Sequence, residues 1–248
     1  MSTSTIAGKQ PELTPLRLWI MTIATGLIVA NLYYNQPLLD AMAVTFHASK
    51  AKVGLVSFLT QLGYAAGMFF LAPLADMVKR KRLMVLMFVF IVLSLLMTAT
   101  AASINLLIFS SFILGAASLI PQLLVPMAAH LAKPAERGKK IGFIMSGLLI
   151  GILVSRIFSG QIGEHFGWRT VYFIATAIMV VIWIMIWIFL PEVDPEYTGT
   201  YGALMTSLIG LIKNEPKLRV AALRGALCFA CFSVFWSTIV FLLRDNFN

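Results

Sequence analysis

The sequence predicts an all-α polytopic membrane protein, with six helices in one bundle and a seventh transmembrane helix after a longer connection. Three observations carry that expectation. Seven apolar stretches cover roughly residues 18–38, 53–75, 83–102, 106–130, 141–162, 170–190 and 220–243. Each is about as long as a helix rising 1.5 Å per residue must be to cross roughly 30 Å of hydrocarbon. Hydrophobic residues make up 60% and charged residues 12% of the 248, against roughly 25% charged in an ordinary soluble domain. Finally, the charges sit in the gaps: Asp76 ends the second stretch, and only Arg156 and Arg224 fall inside the others. Backbone in lipid must satisfy its own hydrogen bonds, and these runs are too long and continuous for barrel strands of about 9–11 alternating residues.

The net charge of +9 could be read as a nucleic-acid signal, but its placement argues for a membrane. Lys9 and Arg17 precede the first span. Lys79, Arg80, Lys81 and Arg82 fill the 2–3 turn, and Lys133, Arg137, Lys139 and Lys140 the 4–5 connection. Lys213, Lys217, Arg219 and Arg224 lead into or begin the seventh span. These are 14 of the 19 basic residues, all at one membrane face, and the other five are Lys50, Lys52, Arg156, Arg169 and Arg244. The positive-inside rule then expects a cytoplasmic N-terminus. Residues 1–17 read as a polar tail without the short apolar region and small-residue cleavage site of a signal peptide. Lipid is the partner that the composition requires, and nucleic acid is not expected.

Taken in order, the first span ends in a polar and aromatic cluster, Asn31, Tyr33, Tyr34, Asn35 and Gln36, closed by Pro37. The loop 40–52 comes next with Asp40 and His47, the latter read as a plain loop residue. The second span carries Gln61 and Tyr64 among Gly63, Ala65, Ala66 and Gly67, small residues that let a neighbouring helix approach in lipid. The short 2–3 and 3–4 connections make neighbours antiparallel. The fourth span holds Gly115 to Ser118, then Pro121, Gln122 and Pro126; the fifth repeats glycine at 142, 147, 151, 160 and 163. Residues 191–218 form the long connection, acidic at Glu192, Asp194, Glu196 and Glu215, with 201–213 read as a short amphipathic helix on the membrane surface. The expected domains are thus the tail 1–17, a bundle over 18–190, a linker over 191–218, and 219–248 as the start of a second bundle. Cys228 and Cys231 in the seventh span read as small packing residues, not as a redox or zinc pair.

Arg156 is the first candidate for function. It lies about 15 residues into the fifth span, roughly 22 Å along the axis. An arginine in hydrocarbon costs at least about 2.5–3.5 kcal/mol, so it must snorkel, find a partner, or face a watery cavity. The cavity reading places it with Tyr34, Asn35 and Gln36, where it would bind an anionic group or hold a gate closed. Asn31, Gln61 and Gln122 are uncharged candidates for the same pathway, or else helix–helix hydrogen bonds. Asp76 reads as a cap or a partner for Arg80, four residues on. Glu164, Trp168 and Arg169 occupy an outer turn, where an interfacial anchor would also explain Trp168 and Arg169. No carboxylate lies near mid-membrane, so any proton coupling would fall to Asp40, Asp76 or Glu164 at the edges. No phosphate loop, zinc cluster or nucleophile–base pair appears, and His130 reads as interfacial. Neither an enzyme nor a cofactor is expected. A seven-helix retinal protein is disfavoured by the orientation and by a seventh span without lysine.

On these residues the chain resembles the N-terminal half of a bacterial major facilitator transporter of the multidrug- or sugar-efflux type, over about residues 15–243. Ala72-Pro-Leu-Ala-Asp76-Met-Val-Lys79-Arg80-Lys81-Arg82 resembles the family's signature between helices 2 and 3. The resemblance implies that Asp76, Arg80, Lys81 and Arg82 act as a charge relay that stabilises the outward-open state. Ala72 and Lys79 replace family glycines, and Met77 a basic residue. Gly147 to Gly163 is similar to the glycine-rich fifth helix of antiporters without its Gly-Pro pair. Asn31-Leu-Tyr-Tyr-Asn-Gln-Pro37 and Glu164-His-Phe-Gly-Trp-Arg169 resemble one efflux-like branch. Ser111 stands where proton antiporters of the family carry an arginine, a place that Arg156 would have to fill electrostatically. The implied function is export of an unidentified small molecule across a bacterial inner membrane. The family has two six-helix halves, so the expectation is a chain completed by a missing C-terminal half or by homodimerisation. The alternative is a transport-inactive fragment or membrane interaction protein.

Overall fold

The computed structural model describes residues 12–195 and 197–247. The polar tail up to residue 11, with Lys9, lies outside the described residues, as do Glu196, Asn248 and the side chains of Ser233 and of 236–247, Arg244 among them. The chain divides into two compact units, Met1–Tyr197 and Thr198–Asn248. The first contains α1 (Pro15–Ala30), α2 (Leu39–Phe46), α3 (Lys50–Phe70), α4 (Arg80–Ala99), α5 (Ile104–Ala117), α6 (Ile120–Leu131), α7 (Arg137–Phe166) and α8 (Trp168–Phe189). The second contains α9 (Tyr201–Asn214) and α10 (Pro216–Phe247). Five helical segments among the described residues are long and apolar enough to cross a membrane: Lys50–Asp76, Arg80–Ala99, Ile104–Leu131, Pro134–Phe166 and Trp168–Phe189; Pro15–Ala30 is a shorter apolar helix.

Three expected spans are not continuous α-helix, and the second of them ends as a 3-10 turn, Ala72–Asp76. The first is expected to run through residue 38, but α1 stops at Ala30. Beyond it Asn31, Leu32 and Tyr33 donate to the carbonyls three residues back at 3.2, 3.0 and 3.0 Å, as do Gln36 and Leu38 at 3.3 and 3.0 Å. The backbone has tightened toward a 3-10 helix, which ends with Gln36–Leu38 before α2 begins. Pro37, which has no N–H to donate, forces the change from the far side. Three residues per turn then stack side chains at i and i+3. The fourth span breaks at Ser118 and Leu119, just before Pro121, and continues as α6. The Ser118 hydroxyl donates to the Leu114 carbonyl at 2.6 Å.

Packing within the first unit is set by two close crossings. A Cβ added to Gly26 of α1 would stand 2.6 Å from the Gly147 carbonyl of α7, and one on Gly151 would run into the Gly26 backbone. Likewise a Cβ on Gly63 or Gly67 of α3 would meet the carbonyls of Phe112 or Ala116, and one on Gly115 that of Thr60. In lipid, where no hydrophobic force draws helices together, such backbone approach supplies dispersion energy directly. Between the pairs sits an apolar core that includes Met21, Ile28, Met84, Phe88, Ile91, Leu107, Leu124, Met127, Tyr172 and Met179, all essentially buried.

Both ends are stitched. At the basic end, Arg17 donates from Nε to the Phe189 carbonyl at 3.2 Å, closing α1 onto the last turn of α8. The Leu13 amide donates to the Leu131 carbonyl at 3.1 Å, closing it onto α6. At the far end, Gly167 separates α7 from α8 with φ +83°, the left-handed region that favours glycine. Trp168 and Arg169 sit directly after it.

Candidate functional site

The polar residues that end α1 are divided among three neighbouring helices. Asn31 is buried and donates from Nδ2 to the Met179 thioether on α8 at 3.3 Å. Asn35 is buried against α3, donating to Thr60 Oγ1 at 3.1 Å and accepting from Ser57 Oγ at 2.8 Å. Gln36 turns to α7, where its Oε1 accepts from Arg156 Nε at 3.0 Å. Tyr33, one 3-10 turn earlier, stacks under the same residue, with the guanidinium carbon 5.1 Å from the ring centroid. The three-residue repeat is what lets Tyr33 and Gln36 hold one side chain together. Tyr34 points elsewhere, packing on Phe158 of α7 at 5.7 Å between centroids.

Of the pathway candidates, the structure therefore brings Gln36 to Arg156 and places Asn31, Tyr34 and Asn35 in buried contacts within the bundle. Gln122 of α6 donates from Nε2 to the Tyr64 hydroxyl of α3 at 3.0 Å. Tyr64 in turn packs against the buried cluster of Val29, Leu32 and Tyr33. A continuous polar and aromatic strip results: Gln122, Tyr64, Tyr33, Arg156, Gln36. Gln61 is half-buried and joins none of these bonds. Sequence reasoning misses Tyr33 and Tyr64 as site residues, because i,i+3 stacking appears only if the end of the first span is read as 3-10.

Arg156 is half-buried, with its Nη2 shielded from solvent and its Nε committed to Gln36. Beside it a cleft of about 550 Å³ opens between the 3-10 turn and α7. Its lining includes Pro37, Asp40, Arg156, Gly160, Gln161 and Glu164. Glu164 thus belongs to the cleft, while Trp168 and Arg169 do not. Trp168 is buried and donates from Nε1 to Thr45 Oγ1 at 3.0 Å. Arg169 donates from Nη2 to the Ala101 carbonyl at 2.7 Å and lies over the Trp168 ring at 4.3 Å. These two bind α2 and the end of α4 to the start of α8.

At the basic end, Asp76 closes a 3-10 turn, Ala72–Asp76, and its carboxylate lies 3.7 Å from Arg80 Nη2. Arg80 is buried. Lys79 and Arg82 reach a different partner: Lys79 Nζ lies 3.6 Å from Glu192 and 3.5 Å from Asp194, and Arg82 Nε lies 3.5 Å from Glu192. The Tyr197 amide donates to the Asp76 carbonyl at 3.0 Å. The segment after α8 thus lies across the basic turn, with Val193 buried beneath it. Lys81 is half-buried and joins none of these pairs.

A helical membrane bundle with interrupted spans, an intramembrane arginine and a cleft beside it has the make-up of a solute carrier. The chain belongs to the Major Facilitator Superfamily, whose family model matches residues 18–248. It is 43% identical over 232 residues to the uncharacterized transporter YgaY of Escherichia coli O157:H7, covering 94% of this chain and 59% of that protein. It is 32% identical over 242 residues to the probable transporter SCO4007 of Streptomyces coelicolor, covering 97% and 56%. Among solved structures, a bacterial homologue of the lysosomal transporter Spinster, inward-facing and unoccupied, matches with a TM-score of 0.65 at 19% identity, over 79% of this chain and 47% of that one. A peptide transporter in complex with alafosfalin matches with a TM-score of 0.67 at 14% identity, over 89% and 48%. These relatives are transporters rather than enzymes. The chain spans less than two thirds of the length of each.

Proposed function

We propose that this chain forms one wall of the solute pathway in a carrier of the major facilitator type that exports small molecules. The observation that carries the reading is Arg156: a guanidinium within the membrane-crossing part of α7, held between Gln36 and Tyr33 and bordering a cleft. An arginine in such a place marks a substrate or ion path more readily than a packing contact, because hydrocarbon penalises it otherwise. In this reading residues 18–190 are one six-helix bundle, 191–218 a linker, and the helix after the linker begins a second bundle. The basic end faces the cytoplasm of a bacterial inner membrane and the cleft faces outward. Apolar side chains of α3 and α7 stand exposed, Leu55, Phe58, Leu62, Leu149, Leu153 and Ile157 among them. A second bundle, from a C-terminal half or another copy, would close the pathway against these faces. Asp76 with Arg80, Lys81 and Arg82 would serve as the conformational switch. Coupling to protons would run through Asp40, Asp76 or Glu164.

The test is uptake by purified chain in liposomes, using amphipathic cations and anions with and without a proton gradient. Saturable uptake above empty vesicles is expected, with Arg156→Ala reducing it about 10- to 100-fold, the range that corresponds to a lost charged hydrogen bond. An Arg156→Ala variant with unchanged flux would overturn the reading, and folded, reconstituted protein that moves no solute would rule out a pathway closed by another copy of this chain.

A further inference from the structure

The second unit carries basic residues that the transport reading does not use. Lys213, Lys217, Arg219 and Arg224 lie close together in the chain, with Glu215 as the only acidic residue among them. All four are exposed. In the first unit, by contrast, Lys79, Arg80, Arg82 and Lys140 each face a carboxylate. Among the described residues no such pair is formed by Lys217, Arg219 or Arg224. Their charge is therefore not spent within the unit.

Helix periodicity sorts these cations by side. From Lys217 to Arg224 is nearly two turns of α10, so both lie on one face, roughly 10 Å apart along the axis. Val220 and Ala221 fall between them on that face, and with Pro216 these residues line a cleft of about 350 Å³. The cleft thus has a cation at each end and apolar side chains between. Arg219 projects from the opposite side of the helix and does not line it. Beyond Arg224 no charged residue occurs from Gly225 to Leu243. On the reading that this run enters the bilayer, Arg224 stands at the hydrocarbon edge and Lys217 on its water side, both with stems long enough to reach headgroup level. α9 leads into this corner, with only Glu215 between the two helices. Leu204, Leu208, Leu211 and Ile212 share one face of α9, and Thr206, Ser207 and Lys213 lie off it, as in a helix that rests in a leaflet. Leu211 and Ile212 are half-exposed.

We infer that the Lys217–Arg224 face of α10 binds an anionic phospholipid, its phosphate between the two cations and its acyl chains along α10 beyond Arg224. The occupant follows from the order of groups along the face. A soluble anion or an acidic peptide would arrive from water, meet Lys217, and gain nothing from Val220, Ala221 or the apolar run that follows. A lipid presents a phosphate and hydrocarbon in the same order as the helix presents cations and apolar side chains. A zwitterionic lipid brings its own cation to the site and so gains less. The site is separate from the Arg156 cleft and does not depend on the transport reading.

The experiment is native mass spectrometry of the purified full chain in detergent, titrated with dioleoyl phosphatidylglycerol or dioleoyl phosphatidylcholine. The first bound phosphatidylglycerol is expected to bind about tenfold or more tightly than phosphatidylcholine. Lys217→Gln and Arg224→Gln should each weaken it about fivefold, the factor that one basic side chain confers at an anionic surface. Together they should remove the preference. Arg219→Gln deletes the same charge from the opposite side and should leave binding unchanged. Ala221→Glu sets a carboxylate between the two cations while keeping both, and it should also remove the preference; it keeps the test open should Arg224→Gln fail to fold. Equal binding of the two lipids, or binding of neither, would overturn the inference. A loss in Arg219→Gln as large as in Lys217→Gln would show diffuse attraction to net charge. Displacement of the lipid by an equal concentration of glycerol 1-phosphate would show a soluble-anion site; either result also overturns it.

Discussion

The two close helix crossings, α1 on α7 and α3 on α5, are built alike and end differently. In each, glycines let one backbone rest on the carbonyls of the other: Gly26, Gly147 and Gly151 in the first, Gly63, Gly67 and Gly115 in the second. Beside the crossing of α3 and α5, a hydroxyl pair closes on a neighbouring helix, Thr98 of α4 with Ser110 of α5 at 2.8 Å. Beyond that of α1 and α7, the chain meets Tyr33, Gln36 and Arg156, and then a cleft. One crossing is finished off as structure, while the other is left polar and open. The difference teaches that glycine content alone does not mark a functional helix here; the residues one or two turns past the glycines do.

The comparison is broken most forcefully at the crossings themselves. Gly115→Val drives a side chain into the Thr60 carbonyl, and α3 and α5 must separate. Overpacking of this kind costs about 1–3 kcal/mol or more. The expected outcome is loss of monodisperse protein in detergent, or a clear fall in its thermal midpoint by tryptophan fluorescence. Gly160→Val, on the helix with the open end, should fold normally because only Pro37 lies nearby. If both variants behave alike, the distinction between a closed and an open pair fails.

A smaller effect separates the two neighbours Asn35 and Gln36. Asn35→Leu strands the partners on α3: Thr60 loses a donor to it, and Ser57 loses an acceptor at 2.8 Å. A buried polar group left unsatisfied costs about 1–3 kcal/mol, so thermal stability should drop measurably. Gln36→Leu removes a bond on the open side of the same turn, and stability should change by less than for Asn35→Leu. Its consequence is for Arg156, whose Nε loses its acceptor, and the readout is a lowered solute flux in otherwise stable protein. Should Gln36→Leu unfold the chain and Asn35→Leu spare it, the assignment of scaffold and site to these two residues is reversed.

Much of the bundle was legible in the sequence because lipid imposes a length and an apolar continuity that can be counted along the chain. The polar cluster after Ala30 and Arg156 stand out in the sequence by the same rule, that hydrocarbon tolerates such groups only with a purpose. Direction was not legible. Asn31, Tyr34, Asn35 and Gln36 read as one patch on an assumed α-helix, but Pro37 tightens the backbone and sends them to α8, α7, α3 and α7 in turn. Trp168 and Arg169 read equally well as interfacial anchors, since composition cannot show that Thr45 and the Ala101 carbonyl wait within hydrogen-bond reach. Trp168→Phe tests that clasp: it keeps an aromatic ring and removes the Nε1 donor, with an expected loss of about 1 kcal/mol in thermal or denaturant unfolding. No loss would return Trp168 to the role of a packing ring.

The smallest effect belongs to the basic end, and it sharpens the comparison by showing where charge does little for the fold. Lys79 and Arg82 face Glu192 and Asp194, so deleting the Lys79 ammonium looks as if it should release the segment after α8. Three other holds remain. The Tyr197 amide still donates to Asp76, Val193 stays buried, and Arg82 still faces Glu192. The Lys79 pairs are more than a third exposed at the lysine and further exposed at Asp194, where solvent screens them. Exposed pairs of this kind contribute about 0.2–1 kcal/mol. Lys79→Ala is therefore expected to lower stability only slightly at low salt, and the difference from the unmodified chain should disappear near ~1 M salt, where screening reaches about 3 Å. A large, salt-independent loss would mean that the segment is held by charge and not by its backbone bond and buried valine. The charges at this end would then belong to the fold as fully as the amide of Asn35 does, leaving the Arg156 cleft as the place where charge is not spent on structure.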